Sequence, residues 1–312
     1  MKEVIFDQSL ALDPKEKRIA DLHSVFNILN VLMGELSMLE MLLDRDQAAE
    51  LVKLEDEIAS IAQELRESDH LENALARVRA SEEVVVGAAR ALLGAFTDAA
   101  ALEEVRESLS NIESVYRIVR KRLDELDARA KDPDVWITIC AKEFERQFRE
   151  VFYAIEKNAK GSYRIFFNLA RKNVGDYYID LKIDSVYKAN TLWIPMRLID
   201  VLRDLTANAR KYTAPGGKVA LAIYQSQTEI QVLVEDSGCG IPEDEIEKVV
   251  EFGYRASNVR GRSTMGGGFG LTKAAWLVNR WGGKLAITSA EGKGTSVRLT
   301  VPNKEGSGIP EA

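Results

Sequence analysis

For roughly its first 130 residues this chain places apolar side chains three and four positions apart, and that rhythm permits little besides long amphipathic helices. The first run holds Ile19, Leu22, Phe26, Leu29, Met33, Leu36 and Leu43, and the second Leu51, Leu54, Ile58, Ile61 and Leu65. The third holds Leu71, Leu75, Val78, Val85, Ala89, Leu92 and Phe96. The fourth and cleanest runs Leu102, Val105, Leu109, Ile112, Tyr116, Val119, Leu123 and Leu126. Asp13-Pro14 reads as a cap followed by proline at the first helical position. Asp44 to Asp46 reads as a turn, Ser68-Asp69 and Thr97-Asp98 as further caps, and Asp132-Pro133 as a stop. The spacing predicts four helices over 14–44, 46–67, 69–96 and 98–131, one apolar stripe on each.

From Trp136 the texture changes. A helix is expected over 138–159, with Phe144, Phe148, Val151, Phe152 and Ile155 on one side. Tyr163–Leu169 and Tyr177–Ile183 read as paired strands around a turn, and then strands and helices alternate. Strands are expected near Leu192 and over 218–225, 228–236, 284–289 and 295–301; helices over 195–212, 243–250 and 270–281. The expected organisation is a helical domain over 1–132, a connecting helix over 133–159, an α/β domain over 160–302 and a disordered polar tail over 303–312. The fold class is thus a long-helix bundle followed by an α/β domain with a mixed sheet.

Composition narrows the function. A net charge of -7 argues against a nucleic-acid-coating protein. No uninterrupted apolar run approaches the ~20 residues of a membrane span, and the N-terminus lacks the pattern of a secretory signal. The two cysteines, Cys140 and Cys239, give no disulfide framework or zinc cluster and suit a reducing cytoplasm. His23 and His70 are the only histidines, so chemistry that needs imidazole has two candidates.

Four short segments in the second half carry chemistry. Asp204, Asn208, Lys211 and Tyr212 fall near one face of a helix, where an Asn between Asp and Lys can hold a hydrated divalent ion beside phosphate oxygens. Glu235 to Pro242 reads as a strand ending in Asp236, with Gly238 and Gly240 letting the backbone approach a flat ligand. Gly266, Gly268, Gly270 and Leu271 lead into a helix, whose N-terminus can cradle phosphate. Glu291 to Thr295 reads as a tight turn. The glycine run has neither the Lys-Ser/Thr of a Walker loop nor the strand before it that a dinucleotide fold requires.

Taken together and in this order, the four segments resemble the ATP-binding catalytic domain of sensor histidine kinases, within the superfamily shared with gyrase, Hsp90 and MutL. The resemblance implies a Bergerat-type α/β sandwich over residues 160–302 that binds ATP with Mg²⁺. Asp204 to Tyr212 match the N box, with Asn208 the implied Mg²⁺ ligand and Lys211 and Tyr212 at positions that contact phosphate and adenine. Asp236, Gly238 and Gly240 match the G1 box, with Asp236 the implied adenine partner. Phe252 to Arg255 match the F box, and Gly266, Gly268 and Gly270 the G2 box. Gly292 to Thr295 match the last glycine box. Residues 253–267, with Arg255, Arg260 and Arg262, correspond to a mobile lid over the phosphates. Gyrase-type ATPases use an acid four residues before the Mg²⁺ Asn to activate water; Asp204 has that spacing.

The same resemblance points to His23 as phosphoacceptor. His-Ser-Val-Phe-Asn, His23 to Asn27, is similar to the family's H box, in which Asn or Thr follows the histidine by four. The departure is Ser24, which stands where the family places Asp or Glu to polarise the imidazole. His70 sits at a helix break with no Asn at that spacing. The resemblance implies transfer from ATP to His23 and on to an aspartate of a response-regulator receiver domain, a homodimer through the N-terminal helices, and an upstream signal protein. Ser24 leaves open a second reading: an ATP-binding scaffold, or a phosphatase-biased module, without histidine autophosphorylation.

Overall fold

The computed structural model describes residues 1–304 apart from 9, 44, 68–70, 95, 133, 159–161, 169, 171–172, 174 and 262–266, with the side chains of 45–47, 129–131, 151, 154–155 and 157–158 also left out. The chain forms two units: Leu12–Pro133, and Met1–Ala11 together with Asp134–Ala312.

The first unit is four helices, α1 (Pro14–Glu40), α2 (Arg45–Glu67), α3 (Leu71–Ala91) and α4 (Ala99–Lys131). Asp13 caps α1 reciprocally: its Oδ1 accepts from the Glu16 N–H at 2.8 Å, and Glu16 Oε2 accepts from the Asp13 N–H at 2.9 Å. Asp98 caps α4 by accepting from the Ala101 N–H at 2.9 Å. The Ser68-Asp69 cap and His70 lie outside the described residues. Each helix packs on its sequence neighbours, and α4 closes the ring on α1. The predicted stripes meet in one core that includes Leu22, Leu29, Leu36, Ile58, Ile61, Val78, Ile112, Tyr116 and Leu123. The apolar seam of α1 is therefore covered by its own chain. Among the described residues α1 is also the one helix long and apolar enough, by length and composition alone, to cross a membrane, which qualifies the expectation of no span. Its leucines Leu22, Leu29, Leu32, Leu36 and Leu39 are buried in the bundle.

The second unit is a seven-stranded mixed sheet with helices on one face. Its strands are β1 (Lys2–Phe6), β3 (Ile165–Phe166), β4 (Tyr177–Ser185), β6 (Lys218–Gln225), β7 (Glu229–Asp236), β8 (Lys284–Ser289) and β9 (Thr295–Pro302), in the order β1-β8-β9-β7-β6-β4-β3. β4 runs parallel to β3 and β6, and the other pairs are antiparallel. A separate ribbon pairs β2 (Trp136–Cys140) with β5 (Thr191–Pro195). Alternation works as the pleat requires: Val219, Leu221 and Ile223 of β6 and Ile230, Val232 and Val234 of β7 face the core. On this side α6 (Leu198–Tyr212) packs on β6 and β7 and α7 (Gly270–Arg280) on β8 and β9, while α5 (Ala141–Asn158) packs on β2 and β4.

Several expectations are corrected. Residues 1–11 belong to the α/β unit, because β1 pairs with β8 from Lys2↔Ser289 to Phe6↔Leu285. The helix expected at 138–159 begins at Ala141, after a strand, and is part of the α/β unit rather than a connector; its Phe144, Phe148 and Phe152 are buried, with the Phe144 and Phe148 rings stacked at 4.8 Å. Within the range expected to pair with β4 as a hairpin, Ile165–Phe166 is the only strand among the described residues, and it runs parallel to β4. Asp176 organises that segment, accepting from the Arg164 N–H at 2.9 Å and the Asn173 N–H at 3.3 Å. The helix expected at 243–250 is a series of turns ending in a single 3-10 turn, Lys248–Val250. There Glu245 reaches out of the segment, accepting from the Tyr254 hydroxyl at 2.9 Å and the Ser257 N–H at 2.8 Å. Asn303 and Lys304 are docked rather than loose: Asn303 N–H donates to Thr228 O, and Trp193 Nε1 donates to Lys304 O at 3.1 Å.

Candidate nucleotide-binding site

The sequence motifs converge where α6, the end of β7, the β8–β9 turn and the start of α7 meet. Asp236 ends β7 opposite Thr295, the first residue of β9. Its Oδ1 accepts from the Gly238 N–H at 2.8 Å, and the Thr295 N–H also donates to the carboxylate. Burial outweighs these bonds and pushes the Asp236 carboxyl up to about 6. A carboxylate held at a desolvation cost beside two backbone donors keeps acceptor capacity for a ligand donor.

Glycines permit the close approach. A Cβ on Gly238 would stand 2.5 Å from Tyr212 O, and one on Gly240, at φ +66, would stand 2.0 Å from Ala290 O. One on Gly294, at φ +82, would stand 2.0 Å from Asp236 O. Strand end, helix end and turn therefore touch backbone to backbone, pinned by Cys239 N–H on Tyr212 O at 3.1 Å and Gly292 N–H on Cys239 O at 2.7 Å. Ser289, which the motif reading passed over, locks the same turn: its hydroxyl donates to Gly294 O at 2.8 Å and accepts from the Ile241 N–H at 2.9 Å. Its position just before the Ala290-Glu291-Gly292 turn was the available signal.

On α6, Asp204 and Asn208 face the N-terminus of α7. A Cβ on Gly270 would lie 3.0 Å from Asn208 Nδ2 and 3.4 Å from Asp204 Cβ. Gly268, at φ +77, lies against the backbone of Gly253 and Tyr254, and the Phe252 and Phe269 rings pack at 4.4 Å. The F box and the glycine run thus form one structure. Leu271 is half-buried in the first turn of α7, and Gly266 and Arg262 lie outside the described residues. Thr295 is tied through its hydroxyl, 3.0 Å from Ser289 Oγ.

Positive charge gathers beside this frame. The half-buried Lys211 ammonium sits 5.2 Å from the Tyr212 ring centre, and burial, then repulsion from Arg255, lower its pKa. Arg255 donates to Val259 O at 3.2 Å. Arg260 is exposed, 6.0 Å from the Tyr254 ring. Asn258 links this loop to the turn after β7 by donating to Gly240 O at 3.0 Å. Among the described residues no cluster of three His, Cys, Asp or Glu could hold a metal.

Residues 194–305 match the family described as histidine kinase-, DNA gyrase B-, and HSP90-like ATPase. The matched segment contains all the motifs above and none of the helical unit. Curated relatives of this domain include a sensor histidine kinase and a sensor protein. The sensor histidine kinase WalK of Bacillus subtilis is 38% identical over 111 residues, 35% of this chain and 18% of the relative. The sensor protein SrrB of Staphylococcus aureus is 28% identical over 139 residues, 45% of this chain and 21% of the relative. The chain thus spans about a fifth of the length of these relatives. Among solved structures, the mycobacterial sensor histidine kinase MprB aligns with 55% of this chain and 100% of its own, at a TM-score of 0.38 and 20% identity. Full-length ShkA in complex with AMPPNP aligns with 77% of this chain and 47% of its own, at a TM-score of 0.47 and 17% identity.

The candidate phosphoacceptor lies in the other unit. His23 is half-buried on α1, one residue past the buried Leu22. Asn27, one turn on, places its Nδ2 3.2 Å from His23 Nε2. An amide N–H donating there leaves Nε2 as the lone-pair nitrogen and the ring proton on Nδ1.

Proposed function

We propose that the chain is an ATP-dependent protein histidine kinase whose ATPase domain supplies a phosphoryl group to His23, and thence to an aspartate of a response-regulator receiver domain. The observation that carries this reading is the convergence of Asp236, Asn208, Lys211 and the α7 N-terminus on one backbone frame closed by glycines. In this reading Asp236 accepts a hydrogen bond from an exocyclic amine of the base, and Gly238 and Gly240 let the ring lie close. Asn208 would hold Mg²⁺, which would offset charge on the phosphates. Lys211, Arg255 and the first turn of α7, with Gly268, Gly270 and Leu271, attract and orient the phosphate chain. Asp204 stands one turn before Asn208 on the same face.

His23 Nε2 is the nucleophile: as its lone pair forms the N–P bond, the bond to the bridging oxygen breaks and ADP leaves. Asn27 Nδ2 lies 3.2 Å from Nε2, so this contact opens to free the lone pair for attack. Kinship with sensor histidine kinases supports a homodimer, a receiver-domain partner, an upstream signal protein and placement of this domain in the cytoplasm. The buried seam of α1 does not add to the case for a dimer, since α2 and α4 cover it. Calorimetry with Mg²⁺-ATP tests the site: Asn208→Asp and Asp236→Asn should each abolish binding with helical content unchanged, and full affinity in both would contradict the assignment.

Ser24 favours a second reading, in which ATP occupancy reshapes a helical scaffold and no phosphohistidine forms. Acid-labile label from γ-labelled ATP separates the two.

A further inference from the structure

Lys273 is a charged residue in a run of α7 that is otherwise apolar or hydrogen-bonded: Thr272, Ala274, Ala275, Trp276, Leu277 and Val278 are all buried beside it. Burying an ammonium costs several kcal/mol unless its charge is met. Here the partner is Asp204, with Nζ 3.0 Å from Oδ2 and the two side chains 3% and 18% exposed. Gly270, one turn before Lys273, lies against Asn208, one turn after Asp204. The two helices therefore meet in register, Gly270 over Asn208 and Lys273 over Asp204.

This places a carboxylate at the phosphate end of the site. A bare carboxylate there would do two things. It would repel phosphate oxygens, and it would accept a proton from a water beside the terminal phosphorus. An ammonium at 3.0 Å cancels the charge and engages the oxygen that would act as base.

We propose that Lys273 is a positioning residue that restrains Asp204 and so protects the terminal phosphoryl group from water; this rests on the nucleotide site described above. In the restrained reaction the water oxygen bonds to the γ-phosphorus and the bond to the β–γ bridging oxygen breaks. ADP leaves with the electron pair, and the water proton passes to Asp204. Holding Asp204 on Lys273 closes that route and leaves the phosphoryl group for the imidazole.

The test uses the full chain carrying His23→Gln, so that phosphate reaches solvent by water attack and not through His23. Lys273→Met should raise kcat for Mg²⁺-ATP hydrolysis about tenfold or more and raise KM, because base and charge are both freed. Lys273→Gln, the second variant, should shift both in the same direction by less. Lys273→Arg should restore the low rate, and Asp204→Asn combined with Lys273→Met should remove the gain. A purely structural pair would lower hydrolysis in every variant. A folded Lys273→Met or Lys273→Gln protein that binds Mg²⁺-ATP and hydrolyses it no faster overturns the proposal. Absence of binding heat with the unaltered protein would instead sink the nucleotide site itself.

Discussion

Asp236 is costly to the empty protein, and that cost can be measured. Its carboxyl is raised from 3.8 to about 6, chiefly by burial. A folded-state pKa above the unfolded value means that protonation favours folding: the stabilisation is complete below about 4 and is lost as pH rises through about 6. Urea melts of the ligand-free protein should therefore show Asp236→Asn more stable than wild type at pH 7.5, by at most about 2–3 kcal/mol. The difference should shrink as pH falls from about 6 to about 4. Nucleotide affinity should run the other way, weakening as pH drops through that window, since a protonated carboxyl loses acceptor strength. At His23 the residue-scale expectation is kinetic. If Ser24 limits proton removal, Ser24→Glu should speed labelling of His23 by up to about tenfold, below the full range of general-base assistance because a new side chain is imperfectly placed. An unchanged rate would show that another group already serves. The site residues were legible because nucleotide binding demands particular side chains at particular offsets. Lys273 was not, because its meaning depends on Asp204, sixty-nine positions away in sequence.

Between elements, the glycines divide into those that only turn the chain and those on which another backbone rests. Gly292 and Gly294 sit in the same β8–β9 turn at φ +74 and +82, but a Cβ on Gly292 meets nothing within 4 Å whereas one on Gly294 meets Asp236 O at 2.0 Å. Gly292→Ala should cost about 1–2 kcal/mol in a denaturant melt, the price of left-handed backbone alone. Gly294→Ala should cost about 4 kcal/mol or more and remove nucleotide binding, because the turn must part from β7. Equal costs would show that the turn is not packed as described. Local chemistry announced most elements: the Asp13 and Asp98 caps, the alternation in β6 and β7, and the stripes of α1–α4 all behaved as their spacing predicts. What escaped was non-local. β1 is a strand because β8 offers it an edge, and five residues carry no signal of that. β3 is parallel to β4, and the Asp176 carboxylate just before β4 accepts from the Arg164 N–H just before β3, a contact that spacing does not announce.

As a molecule, the chain joins a closed four-helix bundle to an α/β unit whose first strand precedes the bundle in sequence. Leu29 and Leu36 are fully buried in that bundle, so charged replacements act inside one chain rather than between chains. Leu29→Asp with Leu36→Asp should melt the helical unit, seen as a loss of helical circular dichroism, while Mg²⁺-ATP affinity by calorimetry stays within about twofold. Loss of both signals together would show that the two units fold as one. The bundle's existence was written in its periodicity, but whether its stripes close within a chain or between chains was not, since both arrangements bury the same leucines. The central claim, that this ATPase domain phosphorylates a histidine on its own bundle, is tested most directly by incubating the full chain with Mg²⁺ and γ-labelled ATP. The label should be bound to protein, lost in acid and kept in base, absent from the His23→Gln and Asn208→Asp variants assayed alone, and located at His23 by mass spectrometry. Protein that binds Mg²⁺-ATP tightly yet takes up no label, or takes up label equally with His23→Gln, would contradict it.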